Sequence, residues 1–371
     1  MARLTEFVCT TASLILLTSL PAPRSEMQSG MSPSDPSGKQ QGKEVPQAKD
    51  RLRVHVNEVI VPVTVTDKSG ELVLDLSKSD FHVLDGGAEQ TIDRFDLAGD
   101  PLAVALVIET SSHIQVMARV IHGMGTVFSE TVMALSGEAV VITYDSTVEV
   151  RQPFTQDHDA VEKVIAGLEF QAPERKLYDG MAKAVALLST RPLSYRRIML
   201  VVGESQDYSS EAKLREVVEN AHLADITIYA IGPSSTTADL RGAPGEIPPL
   251  KIAKHAPTAT VGPPGPDLAG RPQADLLTPA VWLLMRGTNE IKNHQLEVAA
   301  AATGGVHYRA LRDETIRTAL DRIGGELHAQ YVLSYAPSID PPLGFNEIKV
   351  TVSRPSLTLR ARPGYYVSAA Q

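Results

Sequence analysis

The stretch that decides the fold is Leu102–Ile108, LAVALVI, which is followed directly by the sequence ETSSH at Glu109–His113. All seven residues of LAVALVI are apolar, which is typical of a strand buried on both faces of a parallel sheet. The strand ends at a carboxylate and hydroxyl side chains, and a helical pattern begins near Ile114. Open α/β folds bind ligands at the carboxyl ends of their strands. We therefore take this sheet edge as the candidate functional site.

Strands and helices alternate along the chain after this stretch. Apolar runs at 139–144, 197–202 and 225–231 predict further buried strands, and Thr147–Gln152 predicts an antiparallel neighbour. Helical spacing predicts helices at 114–135, 158–168, 177–188, 212–223, 296–302 and 313–327. Strands joined by helices of this length need crossover connections. Residues 101–328 are therefore predicted to form a doubly wound, mostly parallel sheet.

The segments on either side of this domain contain β patterns. Short alternating runs and turn sequences in residues 51–98, including a strand at 72–74 and another at 90–95, predict a small β module. Residues 329–367 contain three more strand patterns before the end of the segment. The fold class predicted is thus an α/β domain with a small accessory β module built from its N- and C-terminal flanks.

Three further regions have the composition of segments outside the core. Residues 1–22 carry Arg3 before an apolar run too short and too polar to span a membrane, which predicts a cleaved signal peptide and a secreted or periplasmic protein with no membrane span after cleavage. Residues 23–50 are rich in Ser, Pro, Gly, Gln and Lys and predict a disordered tether. Residues 234–279 are rich in Pro and Gly and predict a surface insertion.

Composition and motif content exclude several function classes. The chain has 35 basic and 44 acidic residues, a net charge of 35 − 44 = −9, which argues against a nucleic-acid partner. Its one cysteine, Cys9, lies in the predicted signal peptide, so the mature chain is predicted to lack disulfides, cysteine metal sites and thiol catalysis. It contains no G-x-S-x-G, H-E-x-x-H, phosphate loop or dinucleotide-binding motif, and we predict no catalytic residue.

Three motifs follow one another in a fixed order: VIETSSH at 107–113, KLYDGM at 176–181 and VVGESQD at 201–207. In this order the chain resembles von Willebrand factor A-like domains, and its flanking β segments are similar to those of secreted bacterial proteins related to them. Where these motifs lie, the family has Asp-x-Ser-x-Ser, Thr-x-Leu-Tyr-Asp and Ser-Asp-Gly. The resemblance covers about Val54 to Val367 and implies a Rossmann-like sheet.

The resemblance also implies a metal-ion-dependent adhesion site. Its ligand positions correspond to Glu109, Ser111, His113 and Glu204, and the partner-binding edge around them includes Ser112, Arg175 and Asp207. Glutamates replace two aspartates, His113 replaces a serine and Arg175 replaces the threonine, whereas Ser111 is retained. Asp207 is also a candidate N-cap of the helix that follows.

Two interpretations of this site stay open. In the first, the metal is lost and Arg175 pairs with Glu109 or Glu204, because guanidinium and carboxylate form bidentate pairs. In the second, Glu109, Ser111, His113 and Glu204 bind a divalent cation softer than Mg²⁺, because an imidazole is available. The function expected is a non-catalytic adhesion or interaction module with a protein partner. The alternatives are a hydrolase that uses Glu109, Glu204 and His113, and an inert envelope scaffold.

Overall fold

The computed structural model describes residues 58–97, 99–233, 281, 284–285, 294–310 and 313–369. The predicted signal peptide, tether and Pro/Gly-rich insertion lie outside the described residues, as does the start of the predicted N-terminal β module. In the part of the chain that is described, none of the helices is long and apolar enough to cross a membrane.

The central domain is built on a six-stranded sheet with the order β10-β9-β8-β5-β6-β7. The strands are β5 Leu102–Glu109, β6 Glu138–Tyr144, β7 Val148–Thr155, β8 Arg196–Val202, β9 Ile226–Gly232 and β10 His307–Arg309. All neighbours run parallel except β7, which pairs antiparallel with β6. Every residue of β5 is buried, because separate hydrophobic cores cover the two faces of the sheet. The predicted doubly wound sheet is confirmed.

Helices cover both faces of this sheet. They are α1 Ala118–Gly123, α2 Gly125–Val127, α3 His158–Ala166, α4 Leu177–Leu188, α5 Leu214–Leu223, α6 Gln295–Ala302 and α7 Asp313–Leu327. The prediction of one continuous helix over 114–135 is wrong. A 3₁₀ segment at Ser112–Met117 precedes α1, and a π-helical segment at Phe128–Met133 follows α2.

The break between these helical segments has a packing cause. A Cβ atom on Gly125 would lie 3.1 Å from the Cα atom of Glu162 in α3. Glycine is therefore needed where the chain passes close to α3. Because glycine also weakens helices, the helical segment is interrupted near this position.

The two flanks of the chain form a pair of four-stranded sheets with the orders β13-β1-β11-β4 and β14-β12-β2-β3. These strands are β1 Val59–Thr66, β2 Phe81–Asp85, β3 Ala88–Gln90, β4 Arg94–Leu97, β11 Tyr331–Tyr335, β12 Gly344–Val352, β13 Thr358–Ala361 and β14 Gly364–Val367. N-terminal β1 pairs with C-terminal β11 and β13, and β2 pairs with β12. One hydrophobic core is shared by both sheets, so they form a sandwich. The predicted accessory module from both flanks is confirmed.

Three local predictions for this sandwich differ from the structure. The strand predicted at 72–74 forms only an isolated bridge between Leu72 and Thr66, because its backbone bonding to β1 stops at the hydrogen bond from Val73 N–H to the Val65 carbonyl. The strand predicted at 90–95 is divided between β3 and β4, which lie in different sheets. The strand β14 was not predicted.

A buried polar network joins the sandwich to the α/β domain. Glu326 of α7 accepts hydrogen bonds from Thr64 Oγ1 of β1 at 3.0 Å, from Tyr229 Oη of β9 at 2.5 Å and from Arg360 of β13. Gln330 Nε2 donates to Thr64 Oγ1 at 3.1 Å. The carboxylate of Glu326 thus has partners from both layers, which satisfies its buried charge.

Candidate functional site

The carboxyl ends of β5 and β8 bring together the two glutamates that the sequence singles out. The strands are parallel neighbours with Ile108 opposite Val202, so the residues after them emerge at one edge. The backbone N–H of Glu204 donates to Glu109 Oε2 at 2.7 Å. Glu109 is fully buried, whereas Glu204 keeps about a third of its side chain exposed.

The second carboxylate oxygen of Glu109 is bonded as well. Its Oε1 atom accepts a hydrogen bond from the hydroxyl of Ser111, which is also fully buried. Burial raises the pKa of Glu109, and the hydrogen bonds from Ser111 and from the Glu204 amide oppose this effect. Both oxygens of this carboxylate are therefore engaged within the protein.

Arg175 inserts a positive charge beside the carboxylates. Its side chain is only 4% exposed, and its Nη1 donates to Glu204 Oε2. The guanidinium carbon lies 4.5 Å from the ring centroid of Tyr208, in a cation–π arrangement. This is the contact that the metal-free interpretation requires.

The structure places His113 and Ser112 on the exposed rim. The Nε2 atom of His113 lies 3.1 Å from the carbonyl oxygen of Pro173, and the backbone N–H of Ser112 donates to Ala172 at 2.7 Å. The 3₁₀ segment that begins at Ser112 thus carries the imidazole away from the buried Glu109. Sequence spacing alone could not show this, because Ser-x-His has the same spacing whichever way the turn folds.

Asp207 stabilises a different helix from the one that the sequence suggested. Its Oδ1 atom accepts hydrogen bonds from the backbone N–H of Tyr178 at 3.2 Å and from the Ser210 hydroxyl at 2.6 Å. Tyr178 lies in the first turn of α4, whereas the helix after Asp207 begins only at Leu214. The prediction that Asp207 caps the following helix is therefore wrong, because the loop between them is longer than predicted.

A second polar cluster at the same edge was missed by sequence reasoning. Ser205 Oγ donates to Glu297 Oε2 at 2.6 Å and accepts from the Leu296 N–H at 2.9 Å. His307 Nδ1 lies 3.6 Å from Glu297 Oε1. Burial acts to raise the pKa of Glu297, but His307 and the Ser205 hydroxyl hold it below its usual value. The cluster fixes the loop after β8 to α6, and no motif marks it because its members are far apart in sequence.

The side chains at this edge do not fit a magnesium ion. Mg²⁺ requires near-octahedral oxygen ligands at short distance. Both oxygens of Glu109 already accept hydrogen bonds, and the Arg175 guanidinium donates to Glu204 Oε2. Among the residues that the structure describes, no group of three or more His, Cys, Asp or Glu side chains is arranged to hold a metal ion.

A scan against models of protein families and a search of curated proteins each gave no match. Solved structures do show a likeness. A von Willebrand factor type A structure from Catenulispora acidiphila is 8% identical, with 83% of this chain and 74% of that chain covered and a TM-score of 0.43. The central domain resembles a von Willebrand factor A domain.

Two further bacterial structures are also similar to this chain. An aerotolerance-related membrane protein from Bacteroides fragilis is 11% identical, with coverage of 61% of this chain and 99% of that chain and a TM-score of 0.40. The conserved hypothetical protein BatB from Bacteroides thetaiotaomicron is 12% identical, with coverage of 61% and 98% and a TM-score of 0.38. The fold class stated here rests on the strand order of the central sheet.

Proposed function

We propose that this chain is an exported, non-catalytic von Willebrand factor A-type module that binds a protein partner at the carboxyl edge of its sheet without a metal ion. The observation that carries the proposal is the ion pair between Arg175 and Glu204. It supplies a fixed positive charge at the edge where the family places a cation. Because a guanidinium is always charged, this site needs no bound ion to keep its shape.

The rim around this ion pair has the chemistry of a protein-binding surface. Tyr208 is 68% exposed and lies over Arg175, and Val116 in the 3₁₀ segment after β5 is 88% exposed. Exposed aromatic residues that are held rigidly are frequent anchors in protein interfaces.

The geometry gives less support to the alternative, a hydrolase. Nucleophilic or acid–base catalysis needs a hydroxyl or water in reach of a base that is itself open to substrate. Here the Ser111 hydroxyl donates to a fully buried carboxylate, and His113 lies against the Pro173 carbonyl.

Thermal unfolding in the presence of divalent ions tests the absence of a metal. We expect Mg²⁺, Mn²⁺ and Zn²⁺ to leave the melting temperature of the wild-type protein unchanged, because a ligand that binds the folded state would raise it. The variant Arg175→Thr removes the competing charge and restores the hydroxyl of the family, so it should gain a dependence on Mg²⁺. A shift of several degrees in the wild type would contradict the proposal.

Capture of partners from an envelope fraction tests the binding surface. The variant Tyr208→Ser should lose most of the captured protein, because truncation of an interface anchor typically lowers affinity by about ten-fold or more. Leu193→Ser is the matched control, since Leu193 is also highly exposed but lies in the loop before β8, at the opposite sheet edge. If both variants capture the same proteins as the wild type, the carboxyl edge is not the binding site.

A further inference from the structure

Three polar side chains form a hydrogen-bonded series on the solvent face of one sheet of the sandwich, β14-β12-β2-β3. The Nδ1 atom of His82 lies 2.8 Å from Glu89 Oε1, and its Nε2 atom lies 3.0 Å from Ser353 Oγ. A carboxylate, an imidazole and a hydroxyl thus follow one another in the order that activates a serine nucleophile. No motif marks the series, because His82 and Ser353 are 271 positions apart in the sequence.

Strand pairing fixes the positions of these three residues. Ser353 directly follows β12, which pairs with β2, and its backbone N–H donates to the Asp80 carbonyl at 2.8 Å. Glu89 of β3 lies opposite Leu84, which is two residues after His82 in β2. Because residues two apart in a strand share a face, His82 and Glu89 project from the same side of the sheet. The backbone of three neighbouring strands therefore holds the series together.

The series is open to solvent. The side chains of His82 and Glu89 are 46% and 65% exposed, and Ser353 is exposed as well. A dissolved reagent therefore reaches the Ser353 hydroxyl without any rearrangement of the fold. The hydroxyl of Ser111 at the carboxyl edge differs in this respect, because Ser111 and its carboxylate partner are fully buried.

The carboxylate of Glu89 sets the tautomer of the imidazole. Because a carboxylate only accepts hydrogen bonds, the proton of the neutral His82 ring is held on Nδ1. Nε2 is then an acceptor, and the Ser353 hydroxyl donates its hydrogen bond to it. His82 is thus placed as a general base for Ser353, with Glu89 as its positioning residue.

We propose that Ser353 is a nucleophilic serine that accepts an acyl group from small activated esters. Its Oγ atom attacks the carbonyl carbon of the ester while its proton passes to His82 Nε2. The bond from that carbon to the leaving oxygen then breaks, and the imidazolium returns the proton to the leaving oxygen. The products are the acyl ester of Ser353 and a free alcohol or phenol.

The site belongs to the sandwich and does not depend on the function proposed for the carboxyl edge. The reaction modifies the protein itself, so it is compatible with a non-catalytic role of that edge. Because the sheet face is open, we expect the leaving group of the ester, and not the length of its acyl chain, to determine reactivity.

Acetylation by p-nitrophenyl acetate tests the proposal on the wild-type protein, with peptide mass spectrometry to follow each serine over time. Ser69 is the internal control, since it is an exposed serine in the turn after β1 whose hydroxyl donates to the carboxylate of Asp67 and not to an imidazole. We expect Ser353 to react about a hundred-fold faster than Ser69, because a positioned general base gives a rate increase of that order. Equal rates at the two serines overturn the proposal.

Substitution of the general base tests the role of the imidazole. In His82→Gln, acetylation of Ser353 should fall about a hundred-fold, because the side chain stays polar but no longer takes the proton. His158→Gln is the matched control and should leave the rate unchanged, since His158 contacts the Ala134 carbonyl, at 3.1 Å, and not a serine. An unchanged rate in His82→Gln overturns the assignment. If this variant fails to fold, the ratio of the two serines in the wild type still decides.

The pH dependence tests the positioning role of Glu89. Glu89→Gln should lower the rate of Ser353 acetylation and also the pH at which this rate reaches half its maximum, because loss of the carboxylate destabilises the imidazolium. A side chain that only supported the strand would not move that pH. An unchanged pH profile contradicts the role given to Glu89.

Discussion

At the scale of single residues, Arg175 defines the candidate site, because it stands where the family has a threonine and pairs with Glu204. The neighbouring side chains Glu109 and Glu204 could be predicted from the sequence, because both follow buried strands of one parallel sheet. The pairing of Arg175 could be predicted only as one of two interpretations. The direction of His113 could not be predicted, since it depends on how the 3₁₀ segment turns.

The buried carboxyl of Glu109 makes stability depend on pH. Because its pKa is raised above the ordinary value of 4.5 in the folded state, the folded protein holds this proton more tightly than the unfolded chain does. The wild type therefore loses stability as pH rises from about 4.5 through the folded-state pKa. Glu109→Gln cannot ionise, so its free energy of unfolding should rise relative to that of the wild type between about pH 4 and pH 7.

Urea unfolding at both pH values measures this difference. Glu149→Gln serves as the control, because Glu149 lies on the exposed edge strand β7. This substitution also removes one carboxylate, but it does not touch the site. If the difference between Glu109→Gln and wild type is the same at both pH values, the carboxyl of Glu109 does not titrate as inferred.

At the scale of secondary-structure elements, the strand ends are packed so tightly that only glycine fits between them. A Cβ atom on Gly203, at the end of β8, would lie 2.2 Å from the Tyr144 hydroxyl and 2.9 Å from Glu109 Cβ. The Tyr144 hydroxyl is buried and has no partner in the described structure. The chain at the end of β8 therefore holds Glu109 in place by contact, through Gly203, as well as by the hydrogen bond from the Glu204 amide.

Gly203→Ala should lower the free energy of unfolding by about 1–3 kcal/mol, because the added methyl group overfills this contact. Gly123→Ala is the matched control. No atom lies within 4 Å of its Cβ position, and it ends the helix α1, so alanine should be neutral or stabilising there by up to about 1 kcal/mol. Chemical denaturation of both variants measures the difference. Equal stability of the two would show that the strand ends can separate.

The strands of the sheet were predictable because unbroken apolar runs leave little choice of structure. The broken helical segment at 112–133 was not, since the close approach of Gly125 to Glu162 is a tertiary contact between α2 and α3. The division of residues 88–97 between two sheets was equally hidden, because both strands have similar local patterns and only the sandwich separates them.

At the scale of the whole molecule, the sandwich and the α/β domain are joined by an ion pair and hydrogen bonds to the buried carboxylate of Glu326. Glu326 bonds Arg360 from the sandwich and Tyr229 from the central sheet. Such a junction was not visible in the sequence, where Thr64 and Glu326 are 262 positions apart. Because this carboxylate is buried, its partners are needed for stability of both layers.

Arg360→Met should lower the free energy of unfolding by about 2 kcal/mol, because it leaves the buried carboxylate of Glu326 with hydroxyl partners alone. The double variant Arg360→Met/Glu326→Gln should recover part of this loss, since the uncompensated charge is then gone. Thermal unfolding followed by circular dichroism gives both values. Additive effects of the two substitutions would show that the ion pair does not couple the layers.

The position of β1 between β11 and β13 has a consequence during synthesis. The segment VIVPVTVT at Val59–Thr66 is made early, yet its two neighbouring strands are translated more than 260 residues later. Until then it is an unpaired β-prone stretch of the kind that self-associates. Pro62 interrupts it and withholds one backbone donor, so nascent copies cannot form a continuous ladder with one another.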